Sequence, residues 1–243
     1  MALIDLRNIN LTFRIRKHGQ FGLKELLIAL LRKSKLNPTV EIHALKDLTL
    51  QIHEGDRVGV IGHNGAGKST LLRLIAGVYP PTSGTRHVTG EVTSLMDIGL
   101  GIEPTASGWD NIAYRCFLQG DTPKDVEAKR PGIAEFSELN EYLQIPIRFY
   151  SSGMYVRLAF AIATAVHPDI LLLDEVLGAG DIGFQDKARD RMMDLVDKAK
   201  ALVFVSHDLV SIKKLCNRVL WMDQGKLIDD GPAETVIDRY LNR

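Results

Sequence analysis

Apolar and polar positions along the chain change their period several times, and each change predicts an element. Residues 3–13 alternate and predict a first strand. His43 to Ile52 alternate more cleanly, with Leu45, Leu48, Leu50 and Ile52 on one side, the pattern of an antiparallel strand with one wet face. Val58-Gly59-Val60-Ile61 is a short continuous apolar run, the signature of a buried strand. Thr70 to Ala76 has helical spacing and stops at Gly77, and Pro80-Pro81-Thr82-Ser83-Gly84 is a turn. From about Asp110 to Gln144 strand-like runs disappear. Polar helical stretches replace them, with breaks expected at Thr122-Pro123 and Pro131-Gly132. A buried helix over 154–166 ends before Pro168, and three apolar strands follow at 170–173, 202–205 and 218–222. This order predicts an α/β fold with a largely parallel sheet covered on both faces.

One segment departs from the rest in charge. Between Arg14 and Lys35 there are seven Lys or Arg and one Glu, and Leu23, Leu26, Leu27, Leu30 and Leu31 fall on one helical face. Elsewhere the chain is balanced, with 30 basic and 30 acidic side chains in 243 residues. The balance leaves no global charge for nucleic acid. Two cysteines, Cys116 and Cys216, suggest no disulfide framework and fit a reducing compartment. The start lacks a signal-peptide pattern, and no apolar run reaches the roughly 20 residues needed to span a bilayer. Membrane action would therefore need another chain to supply the spanning part.

The chemistry centres on Gly62-His63-Asn64-Gly65-Ala66-Gly67-Lys68-Ser69, between a strand and a helix. Gly62, Gly65 and Gly67 allow backbone angles that aim successive N–H groups at phosphate oxygens. The following helix, beginning through Thr70, points its positive end at the same anion. Lys68 can reach the β- and γ-phosphates, and the Ser69 hydroxyl can ligate Mg²⁺. Ile170 to Leu173 is an apolar strand ending in Asp174 and Glu175. Asp174 would hold Mg²⁺ and Glu175 would polarise the attacking water. Val203-Phe204-Val205 ends in Ser206-His207-Asp208, placing His207 where it can orient the same water. Tyr150-Ser151-Ser152-Gly153-Met154 opens an apolar helix and offers a second anion site, although a plain helix cap would also use its hydroxyls.

Together these motifs resemble the nucleotide-binding subunit of ABC transporters over essentially the whole chain. The resemblance implies a P-loop NTPase (RecA-like) core with an antiparallel β subdomain and an inserted helical subdomain. It places the core at residues 1–97 and 157–243 and the helical subdomain at 105–156. Residues 62–69 match the Walker A motif, 170–175 the Walker B motif and His207 the switch histidine. Asp181 matches the D-loop aspartate, and Phe13 the aromatic that stacks on adenine. Tyr150 to Met154 takes the place of the signature motif, which in this family covers ATP held by the other subunit of a head-to-tail homodimer. The form Tyr-Ser-Ser-Gly-Met looks like the subgroup that exports lipid-linked polysaccharide: O-antigen, capsule or teichoic acid. So does the glycine-rich stretch from Asp97 to Pro104, where a Q-loop glutamine is expected and Glu103 is the substitute. The subgroup also carries an inserted helix near the basic segment at 20–36. That helix either docks on its own core or meets the transporter, with Lys24, Arg32, Lys33 and Lys35 facing lipid. About a dozen residues follow Pro232, too few for the carbohydrate-binding β-sandwich of some O-antigen exporters, so glycan recognition is expected elsewhere.

The resemblance thus implies an ATPase using ATP and Mg²⁺. It would work at the cytoplasmic face of the inner membrane, as a homodimer bound to a separate multispanning permease, with lipid-linked polysaccharide a partner only indirectly and nucleic acid no partner. An ABC-type ATPase acting on DNA or ribosomes usually has two cassettes or a long coiled coil, and a GTPase would need an Asn-Lys-x-Asp motif. None of these occurs.

Overall fold

The computed structural model describes residues 2–16, 39–96, 98–174 and 182–243. The expected basic helix at 20–36, the expected catalytic Glu175 and the expected D-loop Asp181 lie outside the described residues.

Strand β3 (Arg57–Ile61) is central because it is apolar on both faces, and its last four residues are buried. It pairs in parallel with β7 (Ala201–Val205) on one side and β8 (Arg218–Asp223) on the other. β6 (Ile170–Asp174) and the three-residue β5 (Val92–Ser94) extend the sheet in parallel beyond β7. β9 (Lys226–Pro232) closes the other edge, antiparallel to β8. The sheet order is therefore β5-β6-β7-β3-β8-β9. A separate antiparallel sheet joins β2 (Thr39–His53), β1 (Ala2–Arg16) and β4 (Ser83–Val88), in that order.

The two-residue period of a strand assigns each apolar side chain to one of two layers. Val58, Val60, Ile170, Leu172 and Val203 pack with helix α1 (Lys68–Ile75) and the inner face of the antiparallel sheet. Their neighbours Leu171, Leu173, Leu202 and Phe204 pack on the opposite face. Helices α5 (Ile182–Lys198), α6 (Leu209–Leu215) and α7 (Ala233–Leu241) cover that face. Gly59 lets α6 approach closely, since a Cβ there would lie 2.7 Å from Ile212 Cγ2. A third core joins α2 (Gly108–Leu118), α3 (Pro123–Ser137) and α4 (Ser152–Ala163) through Ile112, Val126, Ile133, Leu143, Leu158 and Ile162.

Three of the differences from the sequence pattern concern helices and a turn. α3 runs through Pro131 instead of breaking there. Pro131 and Gly132 are exposed, so the carbonyl left without a donor can be hydrated, while buried Val126 and Ile133 hold the helix on both sides. A capping box between Thr122 and Asp125 starts it firmly. The turn at 80–84 is shorter than expected, because Ser83 already begins β4 along β1. Helix α4 begins at Ser152 and ends at Ala163, earlier than the pattern at both ends, with Thr164 Oγ1 donating back to the Phe160 carbonyl.

Candidate functional site

The carboxyl ends of β3, β6, β7 and β8 lie side by side, the position where open α/β sheets bind ligands. A cleft of about 630 Å³ opens there. Asn64, Gly65, Gly67, Lys68, Ser69 and Thr70 line it together with Asp174, His207 and Phe13.

The phosphate loop is built by steric necessity. Gly62, Gly65 and Gly67 have φ of 145°, 81° and 103°. At Gly62 and Gly67 the space is closed as well: a Cβ would fall 2.2 Å from the Met222 carbonyl oxygen and 2.9 Å from that of Ala44. Gly67 caps α1 in the left-handed region without a side-chain hydrogen bond. The first N–H groups of α1 therefore have no capping side chain and point toward the loop. Buried Ala66 packs in the core beneath.

Lys68 is buried to 7% exposure, and Nζ donates to the carbonyls of Gly62 (2.7 Å) and His63 (3.0 Å). These bonds hold the ammonium within the loop. Ser69 Oγ donates to Asp174 Oδ2 at 2.9 Å, so the end of β6 touches the start of α1. One hydroxyl and one carboxylate are hard oxygen donors, and the pair fits Mg²⁺, which takes few protein ligands and fills its remaining positions with water and phosphate.

Phe13 meets Tyr79 edge-on, with ring centroids 5.2 Å apart, leaving it only partly buried. Its cross-strand partner is Ile42, which lines the same cleft with His43 and Ala44. Sequence reasoning missed these three because β2 begins four residues earlier than the alternation showed, and bulges in β1 set the register. Val205, from the strand that carries His207, also lines the cleft, and Met96 there follows from no motif.

Two expected groups lie elsewhere. Glu103 does not line the cleft. Its carboxylate accepts from the backbone N–H and the hydroxyl of Thr105 at 3.0 and 2.5 Å, which hold it below its ordinary range. The Glu-Pro-Thr sequence is a local turn signal that predicts this pairing. Tyr150, Ser151, Ser152, Gly153 and Met154 also stand outside the cleft of their own chain. Ser151 Oγ accepts from the Met154 N–H at 3.2 Å as the cap of α4. Tyr150 donates to the Tyr142 carbonyl, and burial pushes its hydroxyl up to about 12.

Asp223, a residue the motifs did not single out, ends β8 beside the phosphate loop and pairs with His63. The signal was present, since Asp223 ends an apolar strand as Asp174 does.

Comparison with known proteins matches this arrangement. The family model described as ABC transporter matches residues 45–178, more than half of the chain. The O-antigen export system ATP-binding protein RfbE of Yersinia enterocolitica is 39% identical over 95% of this chain and 98% of its own length. The O-antigen export system ATP-binding protein RfbB of Klebsiella pneumoniae is 38% identical over 98% and 97%. The teichoic acids export ATP-binding protein TagH of Shouchella clausii is 41% identical over 82% of this chain and 55% of its own length. Among solved structures, an ATP-binding cassette captured as a dimer after hydrolysis with ADP and Pi aligns with TM-score 0.67 at 21% identity, over 95% of this chain and 98% of that one. The ATP-binding subunit of another ABC transporter aligns over 100% and 95% with TM-score 0.71 at 17% identity, which shows a common fold. With a matching family model and relatives nearly 40% identical from end to end, the chain belongs to the ABC transporter ATPase family.

Proposed function

We propose that this chain is the ATP-hydrolysing subunit of an exporter of lipid-linked polysaccharide. The observation that carries the ATPase reading is the contact between Ser69 and Asp174 over a glycine loop that encloses Lys68. Export of polysaccharide rests on the relatives, whose names specify O-antigen or teichoic acid export. O-antigen is the preferred cargo, because those matches run nearly end to end in both chains at 38–39% identity, whereas the teichoic acid relative that covers 98% of this chain is 35% identical.

In this reading Phe13 stacks on adenine, and the loop amides with the α1 terminus receive the phosphates. Lys68 turns its charge from the loop carbonyls to the β- and γ-phosphates. Ser69 and Asp174 would hold Mg²⁺, which would neutralise charge on the phosphates. His207 and Glu175 orient the water, and Glu175 accepts its proton. Ser151 and its neighbours complete the cleft of a second copy, and Asp181 takes the part of the D-loop aspartate. Among the described residues no helix is long and apolar enough to cross a membrane. The exporter names of the relatives support a separate membrane-spanning permease as partner, with this chain at the cytoplasmic face of the inner membrane.

The test is Glu175→Gln. ATP binding should persist, turnover should fall by about a thousandfold, and a dimer should accumulate with ATP in size-exclusion chromatography. In cells the variant should not restore surface glycan to a strain lacking this chain. Normal hydrolysis by the variant, or normal surface glycan without the chain, would overturn the reading.

A further inference from the structure

The turn between β8 and β9 braces the phosphate loop from outside the cleft. The Gly225 N–H donates to the Ala66 carbonyl at 2.9 Å, and Gly62 packs against the Met222 carbonyl. Between these two contacts the His63 ring spans from loop to strand. Nδ1 lies 2.6 Å from the Asn64 carbonyl oxygen and Nε2 lies 2.5 Å from Asp223 Oδ1. Both partners are acceptors. A neutral imidazole carries one N–H and can satisfy only one of them. The geometry is that of an imidazolium donating from both nitrogens. Asp223 is well fixed for this role: its side chain is 14% exposed, and Arg243 Nη1 donates to its other oxygen at 3.0 Å.

His63 does not line the cleft, whereas Asn64 and Gly65 do. Because a peptide unit is planar and trans, holding the Asn64 carbonyl against the ring turns the Gly65 N–H away from it. We propose that His63 and Asp223 are a positioning pair for the phosphate loop. His63 fixes the Asn64–Gly65 peptide so that its amide is presented to the nucleotide, and Asp223 keeps both ring nitrogens of His63 protonated. This inference rests on the reading of the cleft as an ATP site.

The charged groups around the ring set the sign of its pH dependence. The Asn64 carbonyl raises the His63 pKa most, Asp223 raises it further, and Lys68 at the start of α1 opposes them. His63 and then Arg243 hold the Asp223 carboxyl below its ordinary range. A raised value means that the pair is intact at and below the ordinary histidine range. It is lost as pH rises through the raised value. One of the two ring bonds is then given up, and the Asn64–Gly65 peptide is released.

The experiment measures affinity for a fluorescent ATP analogue with Mg²⁺ from about pH 6 to about pH 9, across the histidine range. Wild-type affinity should weaken about fivefold toward the alkaline end, as expected when a charge-assisted bond is lost. His63→Arg keeps a charge that does not titrate, and its profile should lack this loss. Asp223→Asn should move the midpoint to lower pH and raise KM at neutral pH, with kcat at saturating ATP retained. Asp223→Glu should restore part of the affinity. If Asp223→Asn does not fold, His63→Arg still decides. The pair is overturned if His63→Arg shows the same alkaline loss as wild type, or if a folded Asp223→Asn matches wild type in KM and midpoint. Lys68→Ala, run alongside, separates the two levels. Undiminished binding by Lys68→Ala would sink the ATP-site reading itself. Lost binding there, beside silent pair variants, would sink only the positioning pair.

Discussion

Two helix N-termini in this molecule use the same physics to opposite ends. α1 begins at Gly67, left-handed and without a side-chain cap, under a loop that encloses a buried lysine. α4 begins at Ser151, whose own hydroxyl accepts from the Met154 N–H, on an exposed segment outside the cleft. The first terminus leaves donors for an anion and opens on a cleft that its own chain lines with Lys68, Asp174, His207 and Phe13. The second satisfies one of its donors internally and stands outside the cleft of its own chain. The difference teaches that a helix dipole alone does not make a binding site. What surrounds the terminus decides whether it can work by itself.

The largest effect should come from breaking the first terminus. Lys68→Ala removes the ammonium that the loop encloses, and ATP affinity should fall by about a hundredfold, near the upper range for a hydrogen bond to a charged group. Equilibrium binding of the fluorescent analogue checks this. Affinity within a few-fold of wild type would contradict the assignment of the cleft.

A smaller effect sharpens the second terminus. Ser151→Ala removes the cap of α4 and should cost about 1 kcal/mol, a shift of roughly 2–4 °C in Tm for a domain of this size. Monomeric ATP binding should stay unchanged, because Ser151 stands outside the cleft of its own chain. If Ser151 only caps α4, ATP-dependent dimerisation should also be unchanged. The composite-site reading requires dimerisation to weaken beyond what the loss of stability explains.

The strands were legible wherever both of their faces are buried. β3, β6, β7 and β8 read as apolar runs because helices or the second sheet cover each side, and Asp174 at the end of β6 and His207 just after β7 line the cleft. β4, β5 and β9 were not legible. β4 is half-polar and mostly exposed, β5 has three residues, and β9 carries Asp229, Asp230 and Gly231 in an edge strand. Asn64, Gly65, Gly67, Lys68, Ser69 and Thr70 meet Asp174, His207 and Phe13 at one cleft, while Gly62, His63 and Ala66 of the same loop do not line it. Ile42 and His43 were hidden because cross-strand register depends on bulges that alternation does not reveal. Glu103 was placed by analogy with a loop whose usual residue is absent, and the nearer Thr105 donors captured its carboxylate.

The central claim is that the site at α1 is completed by α4 of a second copy. It is tested most directly by mixing two inactive proteins, Lys68→Ala and Ser151→Arg, and measuring ATP-dependent dimerisation by analytical ultracentrifugation. Each variant alone should fail to dimerise with ATP. In the mixture, one of the two sites in each heterodimer regains an intact Lys68 facing an intact Ser151. The account predicts that a dimer population returns, made of one copy of each variant. A mixture that stays monomeric, like the sum of its two parts, would contradict the shared site.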